Sequence, residues 1–277
     1  MPAHTEEQEF LPAVTFDLWH TLILLAPAAE DRYIESQESI LEEIVRSSPR
    51  LRHRAPGRVV DPAQAARLAF SAAIGQKGRG SAVGNLAVDA AYRAGREADP
   101  TRWVRALDAL VDEQPFQAVP GARDQLRRLT DEGYRTAVVS NLVGETGGSM
   151  RRVMERLDLA QFIESWAFSD ELPWAKPAPE IFWRALEPLA TSPSEAVHIG
   201  DLGIDVHGAR AAGFRCSVLF LGARAYGPRY ASLCRAGDPI HPPPDRVLSS
   251  WNDLPSLLDS VFDERVAGPH LALQGRG

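Results

Sequence analysis

The sequence is poor in cysteine, in long apolar runs and in lysine. Cys216 and Cys234 are too few and too far apart for a disulfide scaffold or a zinc site. The apolar run near the start, residues 22–26, is far shorter than the roughly 18 residues that span a bilayer. The first ten residues are acidic and lack the basic-then-apolar order of a secretion signal. We therefore expect a cytoplasmic protein without a membrane partner.

The composition is otherwise that of an ordinary globular chain. Its 277 residues are 44% hydrophobic and 24% charged, which suits one or two domains with a buried core. The net charge of −7 disfavours unspecific binding to nucleic acid, because such binding needs a basic surface. The sequence therefore predicts no nucleic-acid partner.

Short apolar runs of strand length alternate with amphipathic segments of helix length over much of the chain. The first run is 13–19, and the later ones are Arg135–Ser140, Phe162–Phe168, Ala196–Gly200, Cys216–Leu221 and Val247–Ser250. The segments between them predict helices at Ala122–Asp131, Ser149–Leu157, Glu180–Leu189 and Ile204–Ala212. Continuous apolar strands separated by helices are typical of a parallel sheet that is covered on both faces. We therefore predict an α/β fold.

The stretch 25–116 has no strand-like run and is typical of helices instead. The predicted helices are Glu30–Arg46, Pro62–Ile74, Leu86–Ala98 and Pro100–Asp112, and two of them start with an Asp-Pro pair that suits a helix N-terminus. We expect this stretch to be a helical domain inserted into an α/β core of residues 10–24 and 117–265. Residues 1–9 and 266–277 are expected to be flexible.

Candidate chemical groups follow the first two strands of the predicted core. Asp17 lies near the end of the first predicted strand, where ligands of parallel sheets bind, so its carboxylate can be a nucleophile or simply a cap for the next segment. Ser140 and Asn141 end the next strand. They can offer a hydroxyl and backbone amides to a phosphoryl or carboxylate oxygen, or form an ordinary turn.

Lys176 stands out because the chain otherwise uses arginine. All but two of the 30 Lys and Arg residues are arginines, so a lysine in the segment WAKPAPEIF is not a generic surface cation. Lysine differs from arginine where a compact charge must approach closely. Lys77, in a glycine-rich stretch, has no such context.

Two more carboxylates follow the strand that contains His198. Asp201 comes directly after Gly200, and Asp205 comes four residues later, where it can also be a carboxylate of a helix first turn. Together with Asp17 they would repel one another unless a cation neutralised them, and oxygen ligands suit Mg²⁺. We expect His198, inside the strand, to be a hydrogen-bonded core residue.

These motifs, in this order, resemble the haloacid dehalogenase-like (HAD) hydrolase superfamily. The resemblance consists of Asp17-Leu-Trp-His-Thr21, then Ser140, Lys176 and Gly200-Asp201 with Asp205, and it extends over about residues 13–265. It implies a Rossmann-like parallel sheet, with the helical insert in the place of the family's first-type cap. It also implies a phosphatase-type hydrolase that acts on a small phosphorylated molecule with Mg²⁺.

The resemblance further implies a role for each matched residue. Asp17 would attack phosphorus, and its side chain would hold Mg²⁺ together with Asp201 and the backbone carbonyl of Trp19. Lys176 would neutralise Asp17 and the phosphate, and Asp205 would hold a metal-bound water or orient Lys176. The phosphorylated substrate would contact Thr21, Ser140, Asn141 and Lys176.

One position departs from the family's phosphatases, which have a second aspartate where this chain has Trp19. An indole neither accepts nor supplies a proton near neutral pH, and loss of a general acid typically costs about 10²–10⁴ in rate. The substrate can be one whose leaving group needs no acid, such as an acyl phosphate, or a residue of the cap or His20 can supply the proton. The family's metal-free 2-haloacid dehalogenases have an aromatic residue here and a Ser-Asn pair like Ser140-Asn141, although Asp201 is foreign to them. A non-catalytic binding protein is the third alternative.

Overall fold

The computed structural model describes residues 12–51, 59–75, 78–223 and 243–263. The expected flexible termini, as well as Lys77 and Cys234, lie outside these residues. The described strands are β1 Ala13–Phe16, β2 Ile23–Leu24, β3 Gln117–Ala118, β4 Arg135–Ser140, β5 Ser165–Phe168, β6 Ala196–Gly200, β7 Cys216–Phe220 and β8 Arg246–Leu248. The described helices are α1 Pro27–Ser47, α2 Pro62–Gly75, α3 Gly84–Arg93, α4 Pro100–Glu113, α5 Ala122–Asp131, α6 Gly147–Arg156, α7 Pro179–Leu186, α8 Gly203–Ala211 and α9 Leu254–Asp263. Among the described helices, none is long and apolar enough to cross a membrane.

Six of these strands form one parallel sheet in the order β5-β4-β1-β6-β7-β8. The predicted α/β fold with a parallel sheet is thus confirmed. Strand β1 lies between β4 and β6, so the loops that leave the carboxyl ends of these three strands are neighbours. This arrangement places the motifs that follow the strands at one edge of the sheet.

The sheet is covered on both faces, as its continuous apolar strands require. Val14 and Phe16 of β1 belong to a core that also contains residues of α5, α6 and α9, whereas Ala13 belongs to the core that α7 and α8 cover. Successive residues of a strand point to opposite faces, so strands buried on both faces need apolar residues at almost every position.

Helices α1–α4, which we call the helical insert, have a core of their own. Trp103 of α4 is fully buried there among Leu41, Ala87 and Leu107. The predicted helices of this stretch all exist, but α3 ends at Arg93 and not at Ala98. Gly95 has a left-handed backbone with φ +66°, and the amide of Arg96 turns back to donate to Ala91 O at 2.8 Å. This glycine-dependent cap ends the helix early.

Two short strands were not predicted. Strand β2 pairs antiparallel with β3, so the chain enters and leaves the helical insert through one two-stranded ribbon. Strands of two residues are too short to give a periodic pattern. The predicted first strand, 13–19, ends at Phe16 because the next residues form a tight loop in which Leu22 and Ile23 both donate to Leu18 O.

A second contact joins the helical insert to the core at Gly80. Gly80 N donates to Pro173 O at 3.1 Å and Ser81 N donates to Ser169 O at 2.9 Å. A Cβ atom on Gly80 would overlap the carbonyl oxygens of Ser169, Leu172 and Trp174. Only glycine therefore fits at this approach of one backbone to another.

We predict that Gly80→Ala lowers the free energy of unfolding by about 1–3 kcal/mol, because the added methyl group forces the two backbones apart. Urea unfolding at neutral pH measures this change. Gly75→Ala is the matched control, because a Cβ there meets nothing within 4 Å. Equal stability of the two variants would contradict the prediction.

Candidate active site

Three predicted site residues come together where β1, β4 and β6 end. Asp17 directly follows β1, and its amide donates to Ile199 O at 2.9 Å. Ser140 is the last residue of β4, and Asp201 directly follows β6. All three side chains are buried, with 5%, 1% and 2% exposure.

The ammonium group of Lys176 lies between two of the predicted carboxylates. Nζ donates to Asp17 Oδ1 at 2.5 Å and to Asp205 Oδ1 at 2.6 Å, and the lysine is only 2% exposed. Burial alone would lower the pKa of this ammonium, but the two carboxylates outweigh burial and raise the pKa above its usual value. Lys176 is therefore charged throughout the physiological pH range.

Asn141 holds the backbone of Lys176 in place. The amide of Lys176 donates to Asn141 Oδ1 at 2.7 Å, and Asn141 Nδ2 donates to Lys176 O at 3.0 Å. Asn141 follows β4 directly, so this pair of hydrogen bonds ties the lysine segment to the end of a central strand. The structure thus gives Asn141 a positioning contact that its sequence context did not reveal.

The two carboxylate oxygens of Asp205 accept hydrogen bonds from different donors. Oδ2 accepts from the amide of Leu202 at 2.9 Å at the start of α8, and Oδ1 accepts from Lys176. Burial would raise the pKa of this carboxyl, but Lys176 and His198 outweigh burial and hold the pKa well below its usual range. The two sequence interpretations of Asp205, a helix first-turn group and a site residue, are therefore compatible.

His198 is a buried core residue, as expected, but it also supports the site. Its Nδ1 lies 2.8 Å from Thr15 Oγ1, and its Nε2 lies 3.3 Å from Asp205 Oδ1. Burial lowers the pKa of His198 below its ordinary value, so the ring is neutral near neutral pH. The contact depends on the position of α8 against β6, which no local sequence pattern reveals.

The charges at this site suit a divalent cation. Asp17, Asp201 and Asp205 each place a carboxylate oxygen within 4.8 Å of the others. Three buried carboxylates with one ammonium and a neutral histidine leave two negative charges in excess. An oxygen-rich set of this charge is the kind that binds Mg²⁺.

Trp19 packs between the core and the helical insert. Its ring stacks on Tyr33 of α1 with centroids 6.2 Å apart, and the edge-on contact with Phe116 has a centroid distance of 5.3 Å. His20, the next residue, places Nε2 3.2 Å from Glu30 Oε1 on the same helix. Trp19 and His20 thus both contact α1.

Glu145 is a buried acid beside this aromatic cluster that the sequence analysis did not predict as a site residue. Glu145 Oε1 accepts from Tyr33 Oη at 3.1 Å and from Gln37 Nε2 at 3.2 Å. Burial raises the pKa of this carboxyl above its usual range. Glu145 lies in the loop after β4 and its partners lie on α1, so only the folded chain brings them together.

Thr21, a further predicted site residue, is fully buried. Its hydroxyl makes no hydrogen bond to any residue that the structure describes. Beside the site, a cavity of about 370 Å³ separates the helical insert from the edge of the sheet, and Asn141 and Ala175 contribute to its wall. The sequence neighbours of Ser140, Lys176 and Asp205 therefore line a space of metabolite size.

Comparison with known proteins gives a family and a set of partial relatives. The sequence model of the family described as haloacid dehalogenase-like hydrolase matches residues 11–213. Glyceraldehyde 3-phosphate phosphatase of Pyrococcus furiosus is 38% identical over 118 residues, which are 41% of this chain and 48% of that protein. Phosphoglycolate phosphatase of Pseudomonas putida is 28% identical over 42% of each chain. The chain thus matches less than half the length of these curated relatives.

Solved structures show the same fold. A HAD phosphatase from Thermococcus onnurineus has a TM-score of 0.58 and 20% identity over 90% of this chain and 98% of its own. A 2-haloacid dehalogenase from Pseudomonas syringae pv. tomato has a TM-score of 0.59 and 21% identity over 90% and 99%. At this identity the likeness concerns the fold alone, which phosphatases and dehalogenases share.

Asp170, next to the site, gives a prediction about pH. Burial raises the pKa of its carboxyl to about 6, well above the usual value for an aspartate. The folded protein therefore binds this proton more tightly than the unfolded chain, so the stability that the group contributes is present below about pH 4 and is lost as the pH rises through about 6.

We expect the free energy of unfolding of Asp170→Asn, relative to that of the wild type, to rise by about 1–2 kcal/mol from pH 4 to pH 7, because asparagine cannot titrate. This magnitude allows for solvent screening of a partly buried group. Urea unfolding at both pH values measures the difference. Asp131→Asn, at an exposed carboxylate of α5, is the control. A constant offset for Asp170→Asn would disprove the assignment.

Proposed function

The chain belongs to the haloacid dehalogenase-like hydrolase family, and from this membership we propose that it is a phosphatase-type enzyme with Asp17 as its nucleophile. The proposed substrate is a small phosphorylated metabolite. Relatives named for glyceraldehyde 3-phosphate and phosphoglycolate support this substrate class. The specific substrate of this chain is not implied by theirs.

The observation that carries the proposal is the buried ammonium between Asp17 and Asp205. A buried ion pair is costly to desolvate, and a third buried carboxylate, Asp201, adds to that cost. Such an arrangement at the carboxyl edge of a parallel sheet is more useful for chemistry than for stability. It would stabilise the charge that builds up as a phosphoryl group is transferred.

In the proposed reaction, a carboxylate oxygen of Asp17 attacks the phosphorus of the substrate. A P–O bond forms to Asp17 while the bond to the leaving oxygen breaks and its electron pair leaves with that oxygen. We assign the attack to Oδ2, because Oδ1 is held by Lys176. Water then attacks the phosphorus of the aspartyl phosphate, which releases inorganic phosphate and restores Asp17.

The side chains of Asp17 and Asp201, with the backbone carbonyl of Trp19, would hold Mg²⁺. Both oxygens of Asp205 already accept from protein donors, which suits a role in orienting Lys176. When bound, Mg²⁺ supplies positive charge that neutralises the carboxylates and the transferred phosphoryl group. Ser140 and Thr21 would contribute hydroxyl groups to the phosphoryl oxygens.

The helical insert would act as a cap. We propose its boundaries at residues 25 and 116, close to the ribbon of β2 and β3 through which the chain crosses. A cap over the carboxyl edge of the sheet excludes water from the reacting groups. We also propose a cytoplasmic location, from the few cysteines, and no nucleic-acid partner, from the net charge of −7.

Trp19 restricts the leaving groups that the proposed reaction can use, because an indole cannot protonate a leaving group. Since its ring is packed against Tyr33 and Phe116, the position is filled by an apolar contact. Good leaving groups, such as the carboxylate that departs from an acyl phosphate, need no proton. We therefore favour acyl phosphates over simple alkyl phosphates as substrates.

The second candidate function is hydrolysis of 2-haloacids without a metal. Trp19 and the pair Ser140-Asn141 favour it, since aromatic and Ser-Asn residues at these positions resemble the dehalogenases of the family. The buried Asp201 beside Asp17 disfavours it, because a metal-free site gains nothing from an added negative charge.

We predict that the protein releases phosphate from a panel of acyl and alkyl phosphates with Mg²⁺, and that chelation by EDTA or the Asp17→Asn change abolishes the release. An enzyme-coupled assay for inorganic phosphate measures it. Asp131→Asn, an exposed carboxylate on α5, is the matched control and should retain full activity. Halide release from 2-haloacids in EDTA would favour the dehalogenase, and ligand binding without any turnover would favour a binding protein.

We also predict that rates depend steeply on the leaving group. Without a general acid, kcat/KM should fall about 10²–10⁴-fold from acyl or nitrophenyl phosphates to alkyl phosphates. The measurement is kcat/KM across a series of esters, plotted against the pKa of the leaving group. A flat plot, with chemistry limiting the rate, would mean that another residue supplies the proton.

A further inference from the structure

The cavity beside the site has two walls that differ in origin. Asn141 and Ala175 belong to the core and are the sequence neighbours of Ser140 and Lys176. The opposite wall comes from α2, residues 79–83 and α3 of the helical insert. A substrate with its phosphoryl group at Asp17 would extend its other end toward that second wall.

The wall from the helical insert has a positive charge that forms no ion pair with a described residue. Arg79 and Asp89 are its two charged residues. Asp89 Oδ2 accepts from Arg93 Nε at 2.8 Å, so its charge is compensated. Arg79 is exposed and forms no ion pair with any residue in the described parts of the chain.

The backbone of Arg79 is fixed relative to Lys176. Arg79 forms an antiparallel bridge with Trp174, which precedes Lys176 by two residues. The next two amides, of Gly80 and Ser81, donate to carbonyl oxygens of the same core segment. The backbone of Arg79 is therefore held beside the cavity, and its side chain starts from a fixed point in the wall.

The remainder of the wall suits a short ligand with a polar end. Ser81 and Asn85 lie close to Arg79 in sequence, and Asn85 Nδ2 donates to Ser81 Oγ at 3.1 Å. Small and aliphatic side chains line much of the rest, among them Ala69, Ala73, Leu86, Val143 and Ile204. Arg79, Ser81 and Asn85 thus give the side of the cavity formed by the helical insert three polar side chains that are close in sequence.

We propose that Arg79 is a substrate-specificity residue that binds a second anionic group, at the end of the substrate away from the transferred phosphoryl group. This inference rests on the proposed phosphatase function. A guanidinium is suited to a carboxylate or a phosphate because its donors match two oxygens at once. The substrate would then be a small phosphorylated acid or a bisphosphate.

The kinetic test compares Arg79→Gln with the wild type on phenyl phosphates that carry ω-carboxyalkyl chains of increasing length, and on their carboxamide isosteres. We expect kcat/KM for the carboxylates to fall about tenfold to a hundredfold, mainly through KM, because a charged hydrogen bond is lost. Hydrolysis of the carboxamides should be unchanged. Arg105→Gln, an exposed arginine of α4 that does not line the cavity, is the matched control and should alter neither.

A binding measurement separates this inference from the proposed function. Calorimetry on the Asp17→Asn protein with Mg²⁺ compares the same carboxylate and carboxamide ligands, with and without Arg79→Gln, and needs no turnover. Preference for the carboxylate that disappears with Arg79→Gln would support the role of Arg79 even if the wild type released no phosphate. Equal affinity for the two ligands, an equal loss for both on Arg79→Gln, or binding of neither would overturn it.

Discussion

The contact between the Lys176 ammonium and the carboxylates of Asp17 and Asp205 is the interaction on which the site depends. Burial of these charges is costly, and hydrogen bonds of 2.5 and 2.6 Å offset that cost only while the partners stay in register. Each partner comes from a different segment: the end of β1, the segment before α7, and the first turn of α8. Asn141 and His198 supply the additional contacts that hold two of these segments in place.

Much of this could be predicted from the sequence, because the strands are short continuous apolar runs and Asp17, Asn141 and Asp201 directly follow three of them. Lys176 could be singled out because arginine occupies almost every other cationic position. The contacts of His198 and Glu145 could not be predicted, since each joins residues that are brought together only by packing between elements. The ribbon of β2 and β3 could not be predicted either, because strands of two residues are too short to show a periodic pattern of apolar residues.

Trp19 has a packing role two residues after Asp17. Its ring contacts Tyr33 of α1 and Phe116, which follows α4. His20 and Glu145 also contact α1, through Glu30 and Tyr33. The loops around Asp17 and the first helix of the insert are therefore packed as one unit, and a change at Trp19 would affect both.

The ribbon of β2 and β3 holds the two ends of the helical insert side by side. The entropic cost of closing the loop depends on the separation of its ends and only weakly on its length. An insert of about ninety residues therefore adds little more to this cost than a shorter connection between the same two ends would. The helical insert can therefore differ in length without any change in the order of the strands beneath it.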